Sequence, residues 1–202
     1  CEQIRAMSVD DVHVHSMTPE EAYHARRGTD WSYEAVYSRL QRAGLDSVPG
    51  TAAEILVDEV REVICPAKIR SDEWVEAMEA AASVGLPMTS TIMYGHVDNE
   101  AHRVEHLDVI RDLQDRTGAI TEFVPLSFVH ANTPLFERGM VEAGATTTVD
   151  EHIISGLRLV LQHNQKFPSP LAKLDEPPGP EELLFAAGGF IGNTPPGGDA
   201  HA

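Results

Sequence analysis

A chain of 202 residues with 42% hydrophobic and 23% charged side chains has the apolar content for one packed core, so a single domain is the default expectation. Thirty-two Asp and Glu against 15 Lys and Arg leave a formal net charge of -17. A field of that sign repels phosphate backbones and anionic lipid, which excludes nucleic acid and membrane surfaces as natural partners and also suits a salt-rich interior. Two cysteines, Cys1 and Cys65, are too few for a disulfide framework or a cysteine metal knuckle, no apolar run reaches the roughly 18 residues of a spanning helix, and no leader-like start is present, so the expected location is cytoplasmic.

Cys1 stands where Met would, and Ile4 to Ala6 read like the end of a helix, so the expectation is that the start of the protein is missing. Val12 to His15 predicts a short alternating strand with both imidazoles on one face. Thr18-Pro19-Glu20-Glu21 carries a cap, a Pro at the first helical position and a capping-box Glu, predicting a helix that ends near Gly28. Ser32 opens a second helix, with Val36, Leu40 and Ala43 on its apolar side and Gly44 as a left-handed stop.

Leu45 to Val48 predicts a strand and Pro49-Gly50 a turn. Thr51 reads as the cap of a helix presenting Ile55, Leu56, Val60, Val63 and Ile64. Pro66 breaks the chain, Ser71 caps a helix closed by Gly85 and Pro87, and Met88 to Tyr94 is the next strand. Glu100 to Thr117 predicts a long helix with Val104, Leu107, Ile110 and Leu113 buried and Gly118 as its stop. Thr121 to Leu126 is a fourth strand, and Thr148 caps a helix running to about His163.

Strand starts separated by about 35 to 45 residues and alternating with helices indicate a parallel α/β organisation. No Gly-x-Gly-x-x-Gly follows any strand, so part of a (β/α) TIM-like barrel is favoured over a doubly wound sheet. The expected division is 1–165 as the barrel part and 166–202 as a divergent Pro- and Gly-rich tail in which only Glu181 to Ala187 looks helical.

Parallel strands gather their C-terminal ends on one rim, which would hold His13, His15, Pro49, Gly50, Thr51, Glu54, Tyr94, Gly95, His96, Ser127 and His130. Asp11-Val-His-Val-His-Ser also matches the strand-end pattern of metal-dependent hydrolases on α/β barrels, with His13 and His15 as ligands, although no later carboxylate or lysine completes such a set. Glu54 reads either as a carboxylate favoured by a helix dipole or as an acceptor for ligand hydroxyls or amines. Thr89, Ser90 and Thr91 suit either a strand or a polar barrel lining. Tyr94, Phe123 and Phe128 read as core or rim aromatics, Cys65 as an inert buried thiol, and Asp58, Glu59 and Glu62 as a solvated face.

Taken together, Gly44-Leu-Asp-Ser-Val-Pro-Gly-Thr-Ala-Ala-Glu-Ile-Leu, Met93-Tyr-Gly-His-Val and Glu122-Phe-Val-Pro-Leu-Ser-Phe resemble the radical S-adenosylmethionine enzymes that make deazaflavin and menaquinone precursors. Gly50-Thr-Ala-Ala-Glu followed by Asp58-Glu-Val-Arg-Glu-Val-Ile is similar to the FO synthase subunit 2 branch rather than to the menaquinone (futalosine) branch. The resemblance covers roughly His13 to His163 and implies a partial barrel binding a [4Fe-4S] cluster and S-adenosylmethionine. It implies a transferase that joins a fragment of L-tyrosine to 5-amino-6-(D-ribitylamino)uracil in coenzyme F-420 biosynthesis, with FO synthase subunit 1 as a possible partner. By motif position it puts Thr51, Glu54, Tyr94, Gly95 and His96 beside the cofactor and His13, His15 and Ser127 beside the substrate. The family's Cys-x3-Cys-x2-Cys is absent here, so the chain is expected to lack the first strands, to hold no cluster and to be inactive alone, while the segment after Lys166 departs from the family's ending.

Overall fold

The computed structural model describes residues 12–142. Six helices and two strands follow one another as α1 Pro19–Arg26, α2 Tyr33–Arg42, α3 Asp58–Ile64, α4 Ser71–Ser83, β1 Met88–Tyr94, α5 Glu100–Thr117, β2 Ile120–Ser127 and α6 Pro134–Glu137. The predicted helix from Thr148 and the helical stretch at Glu181 lie outside the described residues, as do both sides of the expected boundary at 165.

The helix ends form for local reasons. Thr18 and Glu21 make the reciprocal capping box, Ser32 accepts from Ala35 N–H, Asn99 accepts from His102 N–H, and Gly118 stops α5 at φ 62°. Helix α4 starts one residue earlier than a Ser71 cap would place it. Arg70 is the cap residue, its N–H donating to Glu73 at 3.2 Å, while Ser71 N–H and hydroxyl both donate to Asp58 at 3.0 and 2.8 Å. Asp58 therefore joins α3 to α4 instead of lying on a solvated face, and Glu59 reaches His102 on α5 at 2.7 Å.

β1 and β2 pair in parallel from Met88 with Ile120 to Tyr94 with Ser127, joined by α5 as the crossover. Two isolated parallel bridges, Val48 to Met88 and His15 to Ser47, continue this pairing outward. The expected strands at 12–15 and 45–48 are thus reduced to single bridges, yet their alignment is parallel and follows chain order. The architecture is α/β, with the helices packed on one face of the sheet. Val14, Leu45, Val48, Met88, Ile92, Tyr94 and Phe123 meet Ala22, Tyr37, Trp74, Met78, Ile110 and Leu113 there.

The stripe of α5 is rotated from the predicted one. Val104 is 54% exposed, while His106 and Gln114 are buried beside Leu107, Ile110 and Leu113. Each buried polar residue has a backbone task. The Gln114 amide donates to Ile120 C=O at 3.1 Å and accepts from Ile120 N–H at 2.9 Å, fixing the start of β2. His106 Nδ1 accepts from Leu56 N–H at 2.9 Å, and burial, helped by the Arg61 charge, pushes its pKa down to about 3.

The largest correction concerns residues 51–57, which form no helix: α3 begins at Asp58 with Val57 as its cap residue. Ala52 and Glu54 have positive φ, 71° and 41°, which a right-handed helix forbids. Val63, placed on the buried face by that reading, is 41% exposed. The segment runs alongside β1 as an irregular strand substitute. Thr89 N–H donates to Val48 C=O at 3.0 Å, Gly50 N–H to Thr89 Oγ1 at 3.2 Å, and Met93 N–H to Glu54 C=O at 2.7 Å.

The approach at Gly50 leaves no room for a side chain: a Cβ would sit 2.0 Å from Thr89 O and 2.7 Å from Ser90 Cα. Gly50→Ala is expected to cost about 3 kcal/mol or more, the upper range of overpacking because the obstacle is backbone, read as a lowered urea midpoint at constant slope. An unchanged midpoint would contradict the close approach. A second prediction follows from His106. Its folded pKa lies below the ordinary 6.5, so between those values the unfolded chain takes a proton that the folded chain refuses, and stability falls as pH falls. Wild-type stability should drop by about 2 kcal/mol more between pH 7 and pH 5 than that of His106→Gln, measured by urea unfolding at both pH values.

Candidate functional site

Alternation turns Thr89, Thr91 and Met93 of β1 away from the helix-packed Met88, Ile92 and Tyr94, and puts Glu122 and Val124 of β2 on that same open face. His13 and His15 join them, because the intervening Val14 enters the core. The open face is therefore polar where the opposite face is apolar.

Its organised feature is Ser47. The Ser47 hydroxyl lies 2.7 Å from His13 Nε2 and 2.6 Å from His15 Nδ1, with the ring centroids 6.5 Å apart. A hydroxyl has one proton to donate and two lone pairs to accept with, so one neutral ring can accept from Ser47 while the other donates to it. The backbone holds this arrangement. Val14 N–H donates to the Asp46 carboxylate at 2.7 Å, Asp46 N–H returns to Val14 C=O at 3.0 Å, and Ser16 N–H donates to Ser47 C=O at 3.2 Å. Burial and the neighbouring His13 ring hold the His15 imidazole below the usual histidine range, against the opposing pull of Glu122.

A second group gathers at the C-terminal end of β1. Asp98 accepts from Gly95 N–H and His96 N–H, both at 2.8 Å, and from Arg103 Nε at 2.5 Å. Burial pushes this carboxyl up, but the Arg103 hydrogen bond, His96 and the backbone donors outweigh it and hold the acid below its ordinary value. The His96 side chain is fully buried, Nε2 donating to Met93 C=O at 3.0 Å and Nδ1 accepting from Val97 N–H at 2.9 Å, with Phe128 edge-on at 5.9 Å. Burial lowers its pKa, and the Asp98 charge opposes that shift.

Glu54 reaches the same end. Its Oε1 pairs with Lys68 at 2.5 Å, its Oε2 lies 3.9 Å from Arg61, and Oε2 is buried without a hydrogen bond. Arg61, 4% exposed, donates to the carbonyls of Ala52, Ala53, Ile55 and Ile69 and so shapes the loop that carries Thr51 and Glu54.

The single expected rim is thus resolved into two places. Glu54, Gly95 and His96 lie at the C-terminal end of β1, with Tyr94 packed into the core beside them. Thr51 is in the turn that leads there. His13 and His15 sit with Ser47, whose next residue bridges to the N-terminal end of β1. Ser127 pairs with Tyr94 on the opposite face from the two histidines, and His130 packs edge-on to Phe136 at 4.7 Å. Ser47, Arg61, Asp98 and Glu122 were not among the candidates. Glu122 alone carried a local signal, a charge in the alternation of a strand.

Among the described residues no group of three or more His, Cys, Asp or Glu side chains is placed to hold a metal ion, and both rings of the His-x-His pair are engaged by Ser47. No helix among them is long and apolar enough to cross a membrane. Cys65, at the end of α3, is half-buried, and burial pushes its thiol up.

No protein-family model matches the chain. Curated relatives do. The chain is 68% identical over 192 residues to the 5-amino-6-(D-ribitylamino)uracil–L-tyrosine 4-hydroxyphenyl transferase of Haloarcula marismortui, covering 95% of this chain and 43% of that protein. It is 60% identical over 190 residues to the protein of the same name from Halobacterium salinarum, covering 94% and 42%, and 47% identical over 161 residues to that of Methanothermobacter thermautotrophicus, covering 79% and 44%. The chain spans less than half the length of these relatives, and over that span it is similar to the 5-amino-6-(D-ribitylamino)uracil–L-tyrosine 4-hydroxyphenyl transferases.

Proposed function

We propose that the chain is part of a radical S-adenosylmethionine transferase that joins the hydroxybenzyl fragment of L-tyrosine to 5-amino-6-(D-ribitylamino)uracil, and that its parallel segments are a sector of a (β/α) barrel with the open face turned inward. The observation that carries this reading is 68% identity over 95% of the chain to a protein named for that transfer. Two features support it. The parallel segments follow chain order with helices on one face, as barrel sectors do, and the other face is polar, as a hydroxyl-rich pyrimidine and an amino acid require.

The residues present do not fit a [4Fe-4S] cluster, which takes three cysteines in the implied motif where this chain has Cys1 and Cys65, and no step here runs through it. S-adenosylmethionine, when bound beside a cluster, supplies the radical chemistry. Glu54 fits its ammonium group, since Oε2 is a buried acceptor without a hydrogen bond, and Thr51, Gly95 and His96 accompany it through the turn and loop that frame that end of β1. His13 and His15 face the uracil substrate from the open side, where their outward nitrogens meet hydroxyl and amine groups. Ser127 is the outlying member of this set.

Titrating 5-amino-6-(D-ribitylamino)uracil into the chain in a calorimeter tests the assignment. Saturable binding is expected, weakened about tenfold by His15→Ala, about 1.4 kcal/mol for a lost hydrogen-bonding partner. No binding, or binding indifferent to His15→Ala, would count against the open face as the substrate side.

A further inference from the structure

We infer that His13, Ser47 and His15 form a proton relay, in which a proton accepted at His15 Nε2 leaves from His13 Nδ1 through the Ser47 hydroxyl. The proposal rests on the reading that the open face is the substrate side, which supplies the O–H or N–H group that gives up the proton.

Two arrangements of the neutral cluster use the Ser47 hydroxyl as donor to one ring and acceptor from the other. In one, His15 Nδ1–H donates to Ser47 Oγ and Ser47 O–H donates to His13 Nε2, so both rings carry their proton on Nδ1. In the other, His13 Nε2–H donates to Ser47 Oγ and Ser47 O–H donates to His15 Nδ1, so both carry it on Nε2. The distances of 2.7 and 2.6 Å serve both arrangements without movement of a heavy atom.

Starting from the first, a ligand O–H or N–H transfers its proton to His15 Nε2. The Nδ1 proton of His15 passes to Ser47 Oγ, the Ser47 proton passes to His13 Nε2, and His13 releases its Nδ1 proton to water. One proton enters and one leaves, both hydrogen bonds reverse, and no charge stays on the cluster. The direction follows from exposure: His13 is exposed and His15 only partly so, which puts the water-facing exit at His13 and the ligand-facing entrance at His15.

The charged groups around the cluster are compatible with this cycle. The Asp46 carboxylate is taken up by Val14 N–H, and Glu122 lies on the same face, from β2, where it favours a passing positive charge on His15. A single fixed charge on either ring would stop the cycle. Neither ring forms an ion pair with a carboxylate among the described residues, and burial disfavours a standing charge on His15.

The test is the tautomer of each ring, read by two-bond 1H–15N correlation on the 202-residue chain labelled at histidine, between pH 7 and 9. The relay requires that the Nδ1–H fractions of His13 and His15 match in the wild type and in Ser47→Thr, which keeps the hydroxyl, and that they part in Ser47→Ala. Unequal fractions in the wild type, or a match that survives Ser47→Ala, would overturn it. The wild-type measurement stands even where a variant fails to fold. No substrate is present, so a negative result removes the relay and leaves the substrate assignment to the calorimetric experiment.

Discussion

The Arg61 guanidinium is the interaction on which the central loop depends. Its planar fork collects the carbonyls of Ala52, Ala53, Ile55 and Ile69, groups that a helix or a ladder would otherwise have satisfied. Lysine, with one point charge and three donors, would not hold four carbonyls in a plane. The cost of burying this cation is offset by those dipoles and by Glu54 at 3.9 Å, itself paired with Lys68. With its carbonyls turned inward, the loop presents its outer groups to two elements, β1 and α5: Gly50 N–H to Thr89, Glu54 C=O to Met93 N–H, and Leu56 N–H to His106. A change at Arg61 would therefore reach β1 and α5 as well as the loop.

Elements that close on their own neighbours were readable in the chain. Thr18 with Glu21, Ser32 before Tyr33, and the run from Asn99 to Gly118 each contain start or stop chemistry within one or two turns, and β1 was bounded as predicted. The stretch from Thr51 to Leu56 was not readable, for an identifiable reason. A cap-like Thr followed by Ala-Ala-Glu-Ile-Leu has good helical propensity, but a guanidinium seven residues beyond Glu54 and the backbone of β1 override it, and both effects are tertiary. The rotated stripe of α5 has the same origin. His106 and Gln114 read as polar positions by composition, while in the fold each is bonded to backbone, His106 to Leu56 and Gln114 to Ile120.

The site was legible to a similar depth. Alternation correctly put His13 and His15 on one face, because that inference needs only the pleat. It could not reveal Ser47, thirty-four residues from His13, or that the pair would share one hydroxyl. Nor could it show that His96, in a loop that reads as an exposed strand exit, would be buried with both nitrogens bonded to its own turn.

The two ends of β1 differ in electrostatic character. At the C-terminal end, Asp98 is neutralised by Arg103 and backbone donors, and Glu54, paired with Lys68 and 3.9 Å from Arg61, keeps one buried oxygen without a hydrogen bond. At the other, two imidazoles bonded to a neutral hydroxyl offer hydrogen bonds without a fixed charge. The formal charge of -17 acts at long range and is screened in water within about 10 Å, whereas burial and the adjacent ring act on His15 at contact. At His15 the local effects win.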